Sequence, residues 1–295
     1  PGPTVSKMVP NMRKSAAILY GIYIVMTAVE VVLLLLGGMP LFDSLCTAFG
    51  TAGTGGFGIK NSSMGYYNSY YLQGVVSVFM ALFGVNFNVY FFLLMKKYAM
   101  AWRNTEVRAY FAIIAGSTLI ITLNILGMFP TAFDAFHHAF FAVSSVITTT
   151  GFSTTDFDLW PQLSRCILVL LMIVGACAGS TGGGVKVTTF AVIILTIRSV
   201  AQGRDDCVIA EHHIESKTVY RALTIIVLGG LAAVGSAVVV FYNTSDAVSV
   251  IDAIFESCSA FGTVGLSVGV TAQLNRGAKI LYMLVMFMGR VGPVA

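Results

Sequence analysis

The run Thr148-Thr149-Thr150-Gly151-Phe152-Ser153-Thr154-Thr155-Asp156-Phe157 decides how the chain is read, because its core occurs three times. When Asp43, His138 and Asp252 are aligned, each copy carries Thr eleven residues on, Gly thirteen on and a large apolar residue fourteen on. The first copy is Thr54-Gly55-Gly56-Phe57-Gly58, the second Thr149-Thr150-Gly151-Phe152-Ser153, the third Thr263-Val264-Gly265-Leu266-Ser267. A short helix-compatible apolar stretch precedes each: Leu45 to Phe49, Ala139 to Val146 and Ala253 to Phe261. A period on this scale marks a repeated structural unit.

The surroundings of the repeat say where it lives. The 295 residues are 57% hydrophobic and only 10% charged, with a mean hydropathy of +0.85, whereas soluble domains carry about 25% charged residues. That balance excludes a disordered or collagen-like chain, a disulfide-rich secreted domain and most soluble enzymes. Apolar runs fit to span a bilayer lie at Ser15 to Leu36, Tyr71 to Met95, Tyr110 to Met128, Ile167 to Ile197, Ala222 to Phe241 and from Ile280 to the end. Each Thr/Gly stretch falls between two of them and is too short and polar to cross. The expected fold is therefore an all-α polytopic membrane protein built from repeated helix/pore-loop/helix units around a central cation pore.

Charge placement orients it. Lys7, Arg13, Lys14, Lys96, Lys97, Arg103, Arg108, Arg198, Arg204, Lys217 and Arg221 lie opposite the Thr/Gly loops, while Lys60, Arg165, Arg276 and Lys279 share their side. Cytoplasmic loops collect Lys and Arg, so the Thr/Gly loops are expected to face outward, where Asp156, Asp158, Asp246, Asp252 and Glu256 would concentrate cations. The net charge of +4 is too small an excess to point to nucleic acid. The five cysteines, at 46, 166, 177, 207 and 258, show no C-x-x-C spacing, so neither a metal site nor a disulfide framework is expected. The polar stretch from Ser199 to Lys217, with Asp205, Asp206, Glu211, Glu215 and the His212-His213 pair, reads as a solvated loop.

Non-helical backbone at membrane depth is tolerated only where protein buries it or where it lines a watery path. Three equivalent loops imply such a path, in which backbone carbonyls and the Thr54, Thr149 and Thr263 hydroxyls replace the hydration shell of a monovalent cation. Gly lets the carbonyls turn inward. Phe57, Phe152 and Leu266 are expected to pack outward and brace the loops. The fourth apolar run contains a second device, Ala178-Gly179-Ser180-Thr181-Gly182-Gly183-Gly184-Val185-Lys186. Four glycines and a lysine do not hold a helix in lipid, so the helix breaks there, and a flexible segment below a filter is placed to gate it. The spacing is not that of a phosphate-binding loop. Arg290, in the last run, is a costly intramembrane charge expected to line the path and pair with carbonyls of the break. Glu30, in the first run, is either functional or paired.

These motifs, with the Ser259 to Ser267 loop and the Met288-Gly289-Arg290-Val291-Gly292-Pro293 ending, resemble the Trk/Ktr/HKT superfamily of potassium transporters, most closely its bacterial TrkH type, over essentially the whole chain. The resemblance implies potassium uptake through four helix/pore-loop/helix repeats around one pore, with filter glycines at Gly56, Gly151 and Gly265, a gating loop at Gly179 to Gly184 with Lys186, and Arg290 facing it. Residues 1–110, 111–217 and 218–295 then correspond to the second, third and a shortened fourth repeat. The natural protein is expected to continue upstream of Pro1 and beyond Ala295. The resemblance further implies a bacterial inner-membrane location, a homodimer and a cytoplasmic TrkA-type ring of regulatory subunits, which would bind NAD or ATP in place of this chain.

Two other classes stand beside this reading. A secondary transporter, whether a proton- or sodium-coupled symporter of the same superfamily or a broken-helix transporter of another fold, would in the latter case show inverted repeats; these are direct. An intramembrane enzyme would need a motif such as H-E-x-x-H or G-x-S-x-G, which does not occur, and His137 and His138 are expected to pack near the outer face.

Overall fold

A computed structural model describes residues 12–202, 208–209, 212–213, 216–244 and 248–292. The helix, pore helix, loop, helix order appears three times. Long helices α1 (Met12–Leu36), α6 (Thr105–Ile125) and α10 (Ser216–Asn243) enter each unit. Short helices α2 (Leu41–Ala52), α7 (Ala132–Ile147) and α11 (Val250–Gly262) dip in and stop at the Thr/Gly loops. The chain leaves through α3 (Tyr70–Phe83) with α4 (Phe87–Leu94), through α8 (Gln162–Val174) with α9 (Val187–Ala201), and through α13 (Arg276–Val291). Two short helices, α5 (Tyr98–Trp102) and α12 (Val270–Gln273), lie in connections. A two-residue hairpin pairs β1 (Val208–Ile209) with β2 (His212–His213) in the stretch read as a loop; Arg204, Asp205, Asp206, Cys207, Glu211 and Glu215 there, and Asp246, lie outside the described residues.

Segments Ser15–Leu36, Thr105–Met128 and Lys217–Asn243 are long and apolar enough to cross a membrane. Their exposed faces carry residues such as Val25, Val32, Leu119, Leu123, Leu231 and Val238, as lipid contact requires. On α7, Phe141, Val143, Val146 and Ile147 are fully buried.

Each pore helix has an acid in its first turn: Asp43, Asp134 and Asp252. Thr131 and Ser249 accept hydrogen bonds from the amides of Asp134 and Asp252 and so cap α7 and α11. Acid and cap settle the positive end of each helix at the rim, and the negative C-terminal end points at the Thr/Gly loops, where it favours a cation.

The run Tyr71 to Met95 is not one straight span. It bends by 91° between α3 and α4 at Gly84-Val85-Asn86. A Cβ on Gly84 would stand 2.3 Å from the Tyr110 hydroxyl, and the Asn86 side chain caps α4 by accepting from the Asn88 amide. The backbone groups freed by the bend are met by the break between α8 and α9: the Gly84 carbonyl accepts from the Cys177 amide at 3.1 Å, and the Phe87 amide donates to the Gly179 carbonyl at 3.2 Å. Two broken helices thus satisfy one another inside the bundle.

Candidate functional site: a loop cluster and the segment beneath it

Local backbone chemistry builds each Thr/Gly loop alike. Thr54, Thr149 and Thr263 all adopt left-handed φ angles of 49°, 58° and 56°, and Gly56, Gly151 and Gly265 follow with 63°, 88° and 84°. The amides of Thr54, Gly55 and Gly56 turn back to the carbonyls of Thr51 and Gly50. Those of Thr149, Thr150 and Gly151 bond Val146 and Ser145, and those of Thr263 and Val264 bond Ala260 and Ser259. With the amides so directed, the carbonyls from Thr54 to Gly56, Thr149 to Gly151 and Thr263 to Gly265 meet no donor among the described residues.

The loops also abut in sequence around an arc. A Cβ on Gly56 would stand 2.0 Å from the Thr150 carbonyl oxygen, and one on Gly151 would stand 2.0 Å from that of Val264. A Cβ on Gly265 would meet nothing within 4 Å. The second and third loops carry a further brace that the sequence displays at one offset: Ser145 donates to the Phe152 carbonyl and Ser259 to the Leu266 carbonyl, both at 2.6 Å. The first copy has Gly50 there, where the Phe152 ring closes to 3.0 Å of a Cβ position.

Of the three apolar residues read as braces, Phe152 and Leu266 are buried, but Phe57 is 81% exposed. Its ring folds over Gly55 instead, where the missing side chain leaves room. His137 is buried and bonds Gln73 through Nε2 at 2.8 Å, and His138 bonds the Thr154 hydroxyl through Nδ1 at 2.9 Å.

Directly beneath the threonines runs the Gly-rich segment. Left-handed glycines at 175, 179 and 184 turn it. Thr54 donates its hydroxyl to the Thr181 carbonyl at 3.0 Å, and the Gly183 amide donates to the Thr149 hydroxyl at 2.8 Å. A Cβ on Gly183 would fall 2.0 Å from the Thr263 hydroxyl oxygen. One segment therefore touches all three loops. Its beginning is held by Glu106, which accepts from the Ala178 amide at 2.5 Å and from Asn86 Nδ2 at 3.2 Å; Ser180 donates to the Cys177 carbonyl. At its other end Lys186 donates through Nζ to the Gly182 carbonyl.

Arg290 lies against the break, its Nη1 3.5 Å from the Gly183 Cβ position, but the polar atoms it reaches belong to the first loop, with Nη1 3.4 Å from the Thr54 hydroxyl and Nη2 3.5 Å from the Gly53 carbonyl; the carbonyl of the break that is paired with a side-chain cation, Gly182, is held by Lys186. Glu30 is fully buried on α1 against Thr51 of α2, and neither of its oxygens has a hydrogen-bond partner among the described residues.

Membrane-crossing helices joined through re-entrant pore helices, with their C-termini converging on one cluster of unpaired carbonyls, define a polytopic pore-loop membrane protein. The chain belongs to the TrkH family, described as cation transport protein, whose model matches residues 5–295. It is 34% identical over 210 residues to the Trk system potassium uptake protein TrkH of Vibrio parahaemolyticus, covering 68% of this chain and 42% of that protein. It is 27% identical over 315 residues to the Trk system potassium uptake protein TrkG of Escherichia coli, covering 99% and 62%. The crystal structure of the potassium transporter TrkH from Vibrio parahaemolyticus superposes with a TM-score of 0.84 at 26% identity, over 97% of this chain and 64% of that one. In each case the chain spans less than two thirds of the relative's length.

Proposed function

We propose that this chain forms most of the conduction path of a potassium uptake protein, with the Thr/Gly loops as selectivity filter and the Gly-rich segment as gate. The observation that carries the reading is the set of loop carbonyls left without donors and held side by side, the Thr150 carbonyl under Gly56 and the Val264 carbonyl under Gly151. Such a row can replace the water around a potassium ion, helped by the negative ends of three pore helices. Thr54, Thr149 and Thr263 add hydroxyls at the inner end. In the arrangement described, the gate closes the path from below, because its Thr181 carbonyl and Gly183 amide occupy two of those hydroxyls.

The remaining assignments belong to the same proposal. The loops face outward across a bacterial inner membrane, as the placement of Lys and Arg suggests. Residues 1–110, 111–217 and 218–295 act as three pore repeats. A fourth loop, supplied by sequence outside these 295 residues, abuts Gly265 as Thr150 abuts Gly56. A second copy and a cytoplasmic TrkA-type ring complete the assembly, and any NAD or ATP binds on the ring.

Rubidium uptake tests the reading. In full-length protein expressed in cells lacking their own potassium uptake, Gly151→Ser must displace the Val264 carbonyl and should lower the preference for rubidium over sodium. Wild-type preference in that variant removes the filter assignment.

A further inference from the structure

In the third unit, the carboxylate of Glu256 is buried on α11, 3% exposed, and surrounded by donors from the chain that follows the filter. Its Oε1 accepts from the Ser267 hydroxyl at 2.7 Å, from the Thr271 amide at 3.0 Å and from the Thr271 hydroxyl. Its Oε2 accepts from the Val268 amide at 3.0 Å. A carboxylate has room for about four accepted hydrogen bonds, and these four donors fill it. Ser267 passes the order on by accepting from the Gly269 amide at 3.0 Å.

The other two units have no such group. The positions equivalent to Glu256 are Thr47 and Ala142. There the segments after the filters hold each other: Ser63 accepts from the Ser153 amide at 3.2 Å, the Gly65 amide donates to the Ser153 carbonyl at 3.1 Å, and a Cβ on Gly65 would press the Thr154 carbonyl at 2.7 Å. The third outer segment is instead pinned to its own pore helix. Leu266, one residue before the first clamped one, is itself fixed by Ser259, so Ser259 and Glu256 hold both ends of the turn out of the third filter loop.

We propose that Glu256 is a specificity-determining positioning residue: it fixes residues 267–271 from behind, so that the Val264 and Gly265 carbonyls keep the spacing that selects the permeating cation. This rests on the filter reading and assigns its third loop a dedicated anchor. A carbonyl ring discriminates between cations only while its geometry and field are held against collapse onto the smaller ion. Removing the anchor lets the loop relax, and sodium gains more from that than potassium.

The test uses full-length protein, with rubidium uptake and its inhibition by sodium measured for wild type, Glu256→Gln, Ser267→Ala/Thr271→Val and Gly151→Ser. The double variant removes two hydroxyl donors and keeps the buried acid, so an effect survives even where Glu256→Gln does not reach the membrane. Expected for the anchor variants is a rise in KM for rubidium of about tenfold with maximal rate within about threefold, together with a lowered rubidium-over-sodium preference. A fall in maximal rate alone, with KM and preference as in wild type, assigns Glu256 to folding only and overturns the proposal. Wild-type preference in both anchor variants beside an altered Gly151→Ser overturns the anchor and leaves the filter standing; wild-type preference in Gly151→Ser overturns both.

Discussion

The Gly183 amide hangs from the Thr149 hydroxyl at 2.8 Å, and the same glycine leaves no room for a side chain beneath Thr263, whose hydroxyl oxygen lies 2.0 Å from its Cβ position. The Gly-rich segment is thus seated on the Thr/Gly loops by a contact that only glycine permits. Gly183→Ala is expected to push the segment off its seat and raise cation flux through purified protein in liposomes. The expected increase is several-fold, on the order of what losing about 1 kcal/mol of closed-state preference gives. Flux equal to wild type would mean that the segment does not obstruct the path where it sits.

The left-handed glycines of the three loops predict a graded series. Alanine at Gly56 or Gly151 meets both a left-handed backbone and a carbonyl oxygen at 2.0 Å, and either substitution should abolish potassium-dependent growth. Gly265 has the same left-handed φ of 84° but open space around its Cβ position. Backbone strain alone costs about 1 kcal/mol, so mild loss is expected if nothing abuts it. A fourth loop in the full-length protein makes Gly265→Ala as damaging as Gly151→Ala, and growth assays of the three variants side by side separate the cases.

Much of this architecture is legible in the sequence because its signals are local. The Thr and Gly of each loop sit where left-handed backbone is required, and four glycines before Lys186 announce a broken helix. The bend at Gly84 is not legible: Tyr71 to Met95 is apolar throughout, and the groups that stabilise the bend, Cys177 and Gly179, lie about ninety residues away. The reach of Arg290 to Thr54 is hidden for the same reason: it lies against Gly183 of the break, as expected, but its polar contacts run to the first loop, more than two hundred residues away. Glu256 was visible only as one acid among several near the outer face. Its role depends on four donors that the chain folds back to supply.

Glu106 joins three elements, the start of α6, Asn86 at the bend and the Ala178 amide at the head of the Gly-rich segment. Glu106→Ala leaves the Ala178 N–H without its acceptor, a loss of about 1–3 kcal/mol for a buried donor. The thermal midpoint of the purified protein should fall. Glu106→Gln keeps one carbonyl oxygen and should restore most of the stability. Equal midpoints for wild type and Glu106→Ala would show that the three-way contact contributes nothing.

At the outer rim, the Tyr70 hydroxyl donates to one oxygen of Asp134 and the Thr131 hydroxyl to the other at 2.8 Å. These bonds, Tyr70 first, hold the Asp134 carboxyl below the usual aspartate range. A carboxyl depressed in the folded state contributes stability that is fully present above its unfolded value of about 3.9 and is lost as pH falls through the folded value. Because the pair is exposed, water screens it and the contribution is small. Tyr70→Phe should therefore lower the thermal midpoint at pH 7 by a modest amount that shrinks as pH falls below the unfolded value and through the folded one. The ring contacts of Tyr70 with Phe133 and His137, at centroid distances of 5.5 and 5.2 Å, survive in the phenylalanine variant. A midpoint difference that stays constant as the pH is lowered from 7 to the acid limit of folding would locate the effect in those ring contacts and not in the hydrogen bond to Asp134.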